Sequence, residues 1–322
     1  MQGPRETPPM KQYISDNQIF IGYPFSELDI MRRFLASDQI AEDGFHKDGF
    51  GNKARIDFFV ENGAGGTVQT DVPFPDNGQY GEAIEYLGTL RGAQAAGDQL
   101  TVYELGAGFA PWLVVAEGFR RALGRPARAR YVAVEADPAR LALIRQNFDD
   151  NGLTHSGAAA AGIETAIINA AVAPEPGELH FSAQSILDWG GAPTSDAGAA
   201  DYRGLSGSTV AVPARRIDDL IEAESRVELL HIDIQGWEYR SLAASIEAVD
   251  AKVACMVIGT HSRVIEGQLL ALLREWGWLI VYEKPCKFDC NVRLPDLVGS
   301  TVFDGTQFWI NPKMWPDNFD WA

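Results

Sequence analysis

Two acids and two glycines set the chemistry available to this chain. Glu104 interrupts the apolar run from Val102 to Leu105, which breaks into Gly106-Ala107-Gly108 and resumes as an amphipathic segment from Trp112. A strand that turns over two glycines into a helix brings bare backbone N–H groups and a positive helix end close to a ligand, so a small, partly anionic group is expected there. Glu135 ends the next apolar run, Tyr131–Glu135. An acid in that place suits bidentate hydrogen bonding to two ribose hydroxyls. A dinucleotide fits less well. Its GxGxxG fingerprint needs a third glycine where this chain has Pro111, and proline removes an N–H from the anion site. S-adenosylmethionine carries no phosphate, and its ammonium and ribose diol match Glu104 and Glu135.

The downstream half adds a signature. HIDIQGWEYRSL, from His231 to Leu242, resembles the DxxGxExxxL pattern of the FkbM family of methyltransferases. LGAG, VAVEADPARLALIRQNF, NAAVAPEPGELHF and RRIDDL resemble that family in order and spacing, over about residues 100 to 310. The resemblance implies an S-adenosylmethionine-dependent O-methyltransferase whose typical acceptors are hydroxyls on sugars and polyketides. It implies that Glu104, Gly106, Ala107 and Gly108 hold the methionine end and Glu135 the ribose. Ala136 and Asp137 would lie beside the ribose, and Asn169 and Ala170 would flank the adenine. Asp233 would sit near the amine or the acceptor, with Glu238 one helical turn beyond. Two departures, FAPW after the glycine turn and GTHS at a later strand end, point to a different acceptor pocket.

Methyl transfer from a sulfonium is an in-line displacement, and a base that takes the hydroxyl proton contributes about 10²–10⁴-fold. His261, at the end of the VACMVIG strand, is the candidate by type and place, with Asp233 as runner-up or as the group that orients a base. A strand-end histidine satisfied by backbone is the competing reading. His231, inside an apolar run, reads as a core histidine. No metal is assigned, although Asp233, Glu238, Asp218 and Asp219 are acids available for one.

These residues need a frame. The order of runs, βαβαβ then βαβαββ, predicts an α/β class I methyltransferase fold: a Rossmann-like doubly wound sheet, mostly parallel, with an antiparallel last strand. Such sheets bind ligands beyond the carboxyl ends of their strands, which puts Glu104–Gly108, Glu135, Asn169, Asp233 and His261 on one edge. Residues 79–322 read as this domain and residues 1–78 as an α+β extension, either packing or a lid. In the extension, Ser26-Glu27-Leu28-Asp29 has capping-box spacing, and 55–60 with 67–72 reads as a β-hairpin. Asp137 reads as a helix N-cap with Pro138 at the first helical position. One helix is expected from Gly236 through Val249, and Gln184–Arg215 reads as a long loop. A final strand is expected over Ser300–Ile310.

Bulk properties narrow the partners. The formal charge of −17 over 322 residues argues against nucleic acid or an anionic membrane. No run is long and apolar enough for a membrane span, and the N-terminus has no secretory h-region. Three cysteines, Cys255, Cys286 and Cys290, fit a reducing cytoplasm. The partner expected is a small-molecule or glycan acceptor, and a homo-oligomer is left open. Three alternatives remain at this point: a methyltransferase of a non-sugar small molecule or amine, a catalytically silent S-adenosylmethionine-binding scaffold, and a nicotinamide oxidoreductase.

Overall fold

The computed structural model describes residues 22–59, 65–74, 81–153, 162–182, 187–201, 204–288 and 298–319. The chain opens with α1 (Ser26–Arg32), β1 (Phe45–Lys47), β2 (Lys53–Arg55) and β3 (Thr67–Val68). Helix α2 (Ala83–Ala95) leads into β4 (Gln99–Leu105), α3 (Pro111–Leu123), β5 (Arg128–Glu135), α4 (Leu141–Asp150) and β6 (Ile163–Asn169). An insertion carries β7 (Ala171–Val172), β8 (Gly177–Ser182), β9 (Pro193–Thr194) and β10 (Thr209–Arg215). Then come α5 (Ile217–Leu220), β11 (Val227–Ile232), α6 (Glu238–Ala244), α7 (Ile246–Lys252), β12 (Val253–Thr260) and α8 (Arg263–Glu275). The chain closes with β13 (Leu279–Lys284), β14 (Lys287–Phe288), β15 (Thr301–Phe303) and β16 (Gly305–Ile310).

The main sheet has the order β13-β16-β12-β11-β4-β5-β6. β4, β5, β6, β11 and β12 are parallel, and β16 runs antiparallel to both of its neighbours. This is the doubly wound class I methyltransferase arrangement, with the one reversed strand where the sequence pattern placed it. Side chains alternate across the sheet, as a pleat requires. Val102, Leu229, Val257 and Phe308 join a core with α1, α2, α3 and α4. Tyr103, Leu230, Ile258 and Trp309 join a second core with α5, α6, α7 and α8. Each central strand is apolar on both faces because each face is covered by helices.

Several local expectations are corrected. Ser26 lies inside α1, which has no side-chain cap. The capping box belongs to α2, where Glu82 and Glu85 bond each other's backbone. The hairpin pairs β1 with β2 rather than 55–60 with 67–72: Ile56–Phe58 turns as a 3₁₀ helix, and β3 adds parallel to β1. The segment read as a loop contains β10, which pairs with β8 in a second, smaller sheet. Ser245 divides the helix expected after Gly236 into α6 and α7. Thr301–Phe303 is a separate strand, paired with β14. Cys290 lies outside the described residues.

One buried charge cluster ties α3 to β5. Glu117 is 2% exposed and accepts from Arg120 Nε at 2.6 Å, Arg121 Nε at 2.5 Å and the Tyr131 hydroxyl at 2.9 Å. Burial works to raise its carboxyl, but the hydrogen bond and charge of Arg120 and the charge of Arg121 outweigh it and hold the group below its ordinary 4.5. A carboxyl depressed on folding gives stability that is complete above its unfolded value and is lost as pH falls through the folded one. Urea unfolding of Glu117→Gln is therefore expected to lose about 3 kcal/mol near neutrality and to show a flatter decline below pH 4.5. An unchanged acid limb would remove the cluster from the stability account.

Candidate active site

The strand ends converge on one cavity of about 470 Å³, within the size range of roughly 300–1,000 Å³ usual for small-molecule sites. Glu104, Gly106, Ala107, Gly108, Glu135, Ala136, Ala170 and Asp233 line it. Asp137, Asn169, Glu238 and His261 are not in its wall.

The glycine turn works differently from the expectation. Gly106 N and Ala107 N both donate to Val134 O, and Gly108 N donates to Glu135 Oε2 at 2.7 Å. These amides are engaged within the fold and are not bare. Gly106 instead permits close approach. Its φ is +79°, and a Cβ there would meet the Asp233 carbonyl oxygen at 1.8 Å. β4 and β11 can therefore end side by side, with Glu104 and Asp233 in the same cavity. Glu104 is 2% exposed and takes N–H bonds from Trp112 and Leu113 in the first turn of α3. Burial raises its carboxyl well above the usual range, against those two bonds.

Glu135 is held from two sides, by Gly108 N and by Asp137 N, each at 2.7 Å. Burial pushes its carboxyl up, and the Arg140 charge opposes this. Asn169 Nδ2 donates to the Glu135 and Ala136 carbonyls, at 2.9 Å each, so this side chain braces the loop from outside the cavity. Asp137 accepts from Ala139 N at 2.9 Å and caps a turn, because α4 begins only at Leu141. Above the turn, Trp189 lies under the Arg140 guanidinium (4.6 Å) and edge-on to Phe109 (5.5 Å). Arg140 also bonds the Asp188 carbonyl.

At the opposite wall Asp233 presents a side chain 38% exposed, with Gly259 leaving room for it. His261, 3% exposed, sits behind it. Its Nδ1 is 2.8 Å from Glu238 Oε1, and its Nε2 is 3.3 Å from Asp233 Oδ1. The second contact is a charge contact rather than an aligned hydrogen bond. Burial would lower the imidazole, but Glu238 and Asp233 together raise it well above its ordinary value. Burial would raise Asp233, and His261 more than compensates, lowering it. Glu238 caps its own turn, accepting from Ile234 N and Gly236 N.

His231, Asp304 and Phe59 are wall residues that the sequence did not assign to the site. His231, assigned to the core, is buried, yet it lines the cavity, stacked on Trp112 at 5.4 Å and 3.3 Å from Glu85. Its register partner on β4 is Glu104, and that pairing was the signal available. Glu85, a polar residue near the start of the helix that leads into β4, is in the same wall, as its place before the central strand suggested. Asp304 lines the mouth, its carboxyl raised by burial and by the Asp233, Glu238 and Glu85 charges against that of His261. Phe59 reaches the wall from the forepart.

The sequence model of the Methyltransferase FkbM domain matches residues 103–278, more than half of the chain. This chain belongs to the FkbM methyltransferase family. A protein of Jannaschia sp. (strain CCS1) named "Putative methyltransferase" is 27% identical over 224 residues, covering 66% of this chain and 74% of that protein. Among solved structures, a methyltransferase FkbM from Methylobacillus flagellatus KT aligns with a TM-score of 0.39 and 16% identity, over 66% of this chain and 44% of that one. A precorrin-6y C5,15-methyltransferase from Geobacter metallireducens GS-15 aligns with a TM-score of 0.37 and 11% identity, over 70% and 86%. Among the described residues of this FkbM methyltransferase, no helix is long and apolar enough to cross a membrane.

A side chain at position 106 meets both steric overlap and a φ of +79°. Gly106→Ala is expected to abolish S-adenosylhomocysteine binding in calorimetry, because separating β4 from β11 displaces Glu104 and the turn whose Gly108 N–H holds Glu135. Unchanged affinity would show that the close approach does not shape the pocket.

Proposed function

We propose that this protein is an S-adenosylmethionine-dependent O-methyltransferase acting on a hydroxyl of a sugar, glycan or related natural product. The observation that carries the reading is Glu135, fixed by two backbone N–H groups in a cavity lined by carboxylates. A carboxylate offers about four lone-pair positions. Two are taken by the backbone, which leaves Glu135 able to accept from a ribose diol. The residues fit the cofactor's charge as well as its diol: Glu104 suits its cationic end, and Ala136 and Ala170 leave room for a flat base. When bound, the cofactor supplies an electrophilic methyl group.

The chain's own part is alignment. Asp233 faces the cavity and accepts the acceptor's O–H, and His261, itself held by Glu238, stands behind Asp233. Holding two reactants in line is worth up to roughly 7–11 kcal/mol. We also take residues 1–78 as an extension of a methyltransferase domain spanning 79–322; Phe59 makes the extension part of the acceptor wall. An amine acceptor is a second reading, favoured by the Glu85, Asp233 and Asp304 carboxylates in the wall.

Calorimetry with S-adenosylhomocysteine and, separately, NADH tests the cofactor. Binding is expected for the first ligand only, with Glu135→Ala weaker by about ten- to a hundredfold, the worth of charge-assisted hydrogen bonds. Binding of NADH alone would overturn the reading. Acceptors are sought in a panel of sugars, polyols and amines, by mass increase of the product. With an acceptor in hand, Asp233→Asn is expected to keep S-adenosylhomocysteine affinity and to lose about 10²-fold or more in kcat. Wild-type kcat would remove Asp233 from the reaction.

A further inference from the structure

Asp233, Glu238 and His261 come from three elements, the end of β11, the start of α6 and the end of β12. One potential ligand atom from each lies within 4.8 Å of the others. Two of the three side chains are almost wholly enclosed: Glu238 is 0% and His261 3% exposed. Each keeps a polar atom without a hydrogen bond, Glu238 Oε2 and His261 Nε2. Such an atom in a protein interior costs about 1–3 kcal/mol, and two of them in one cluster call for a ligand that satisfies both.

We propose that Asp233, Glu238 and His261 form a divalent-cation site, each giving one donor. The chemistry of the set narrows the ion. One imidazole with two carboxylates suits Mn²⁺, Fe²⁺ or Zn²⁺ better than Mg²⁺ or Ca²⁺, which take oxygen alone. The geometry needs little change. Donors about 2.1 Å from one ion are at most about 4.2 Å apart, so a cluster spanning 4.8 Å closes with a movement of at least roughly half an ångström. His261 Nε2 and Asp233 Oδ1, at 3.3 Å, already stand at the separation of neighbouring ligands on one ion. The three donors leave coordination positions open, and the half-exposed Asp233 turns them toward the cavity.

The site stands on this geometry. Its use, with an acceptor hydroxyl completing the coordination and losing its proton more readily, rests on the methyl-transfer reading.

The probe is Mn²⁺ titrated into the full chain, with free ion read by its sharp paramagnetic resonance signal. Saturation at one ion per chain is expected. Asp233→Asn and Glu238→Gln are each expected to weaken it at least about tenfold while keeping the wild-type circular-dichroism spectrum and cooperative thermal unfolding, which shows that they fold. Glu135→Ala is expected to keep the ion. Failure of the ion to bind up to millimolar concentration overturns the site, as does binding that both variants leave unchanged. Failure of S-adenosylhomocysteine to bind with the ion retained would instead overturn the cofactor reading and leave the site.

Discussion

The architecture of the cavity depends on one close approach, the backbone of Gly106 against the carbonyl of Asp233. No Cβ fits between them. Two neighbouring parallel strands can therefore finish at the same height, and the acids that follow or precede their ends share one space. Val134 O binds the next two amides of the turn and draws β5 in. Glu135 then reaches back to Gly108 N. Three strand ends are locked together by backbone contacts before any ligand is considered.

This arrangement reverses the usual role of a glycine-rich turn. Where the amides are free, the turn is a cradle for anions. Here they are used internally, and the exposed chemistry is that of carboxylates. The wall carries Glu85, Glu104, Glu135, Asp233 and Asp304, with Arg140 occupied by Trp189 and the Asp188 carbonyl. Such a surface is suited to ligands with positive charge or many hydroxyls, and it repels phosphates.

Long periodic runs made the main sheet legible. β12 is near-continuously apolar, so its place inside the sheet followed from composition, and the missing helix between the last two strands gave the reversed direction of β16. The FkbM signature from His231 to Leu242 located Asp233 and Glu238 together. Short elements were less legible. A capping pattern at Ser26 competes with a second at Glu82, and only tertiary packing chooses between them. β10 was hidden in a segment rich in small and polar residues because its partner, β8, is distant in sequence. His231 looked like core because its neighbours are; the cavity opens beside it only where Glu104 and Trp112 arrive from other elements. Asp304 follows a short edge strand and carries no periodic signal at all.

Helix α1 is joined to α2 by an ion pair with almost no access to water. Arg91 on α2 meets Glu27 on α1 at 2.6 Å, with side chains 0% and 2% exposed. Leu28, Ile30 and Met31 share the core of α2 and α3. Loss of the Glu27 carboxylate with α1 still in place would leave the buried Arg91 guanidinium without its counter-charge, a burden of about 3–5 kcal/mol. That is a large part of a typical domain's margin of roughly 5–15 kcal/mol. The first helix and the body it leans on are thus bound to be inherited, expressed and engineered as one piece.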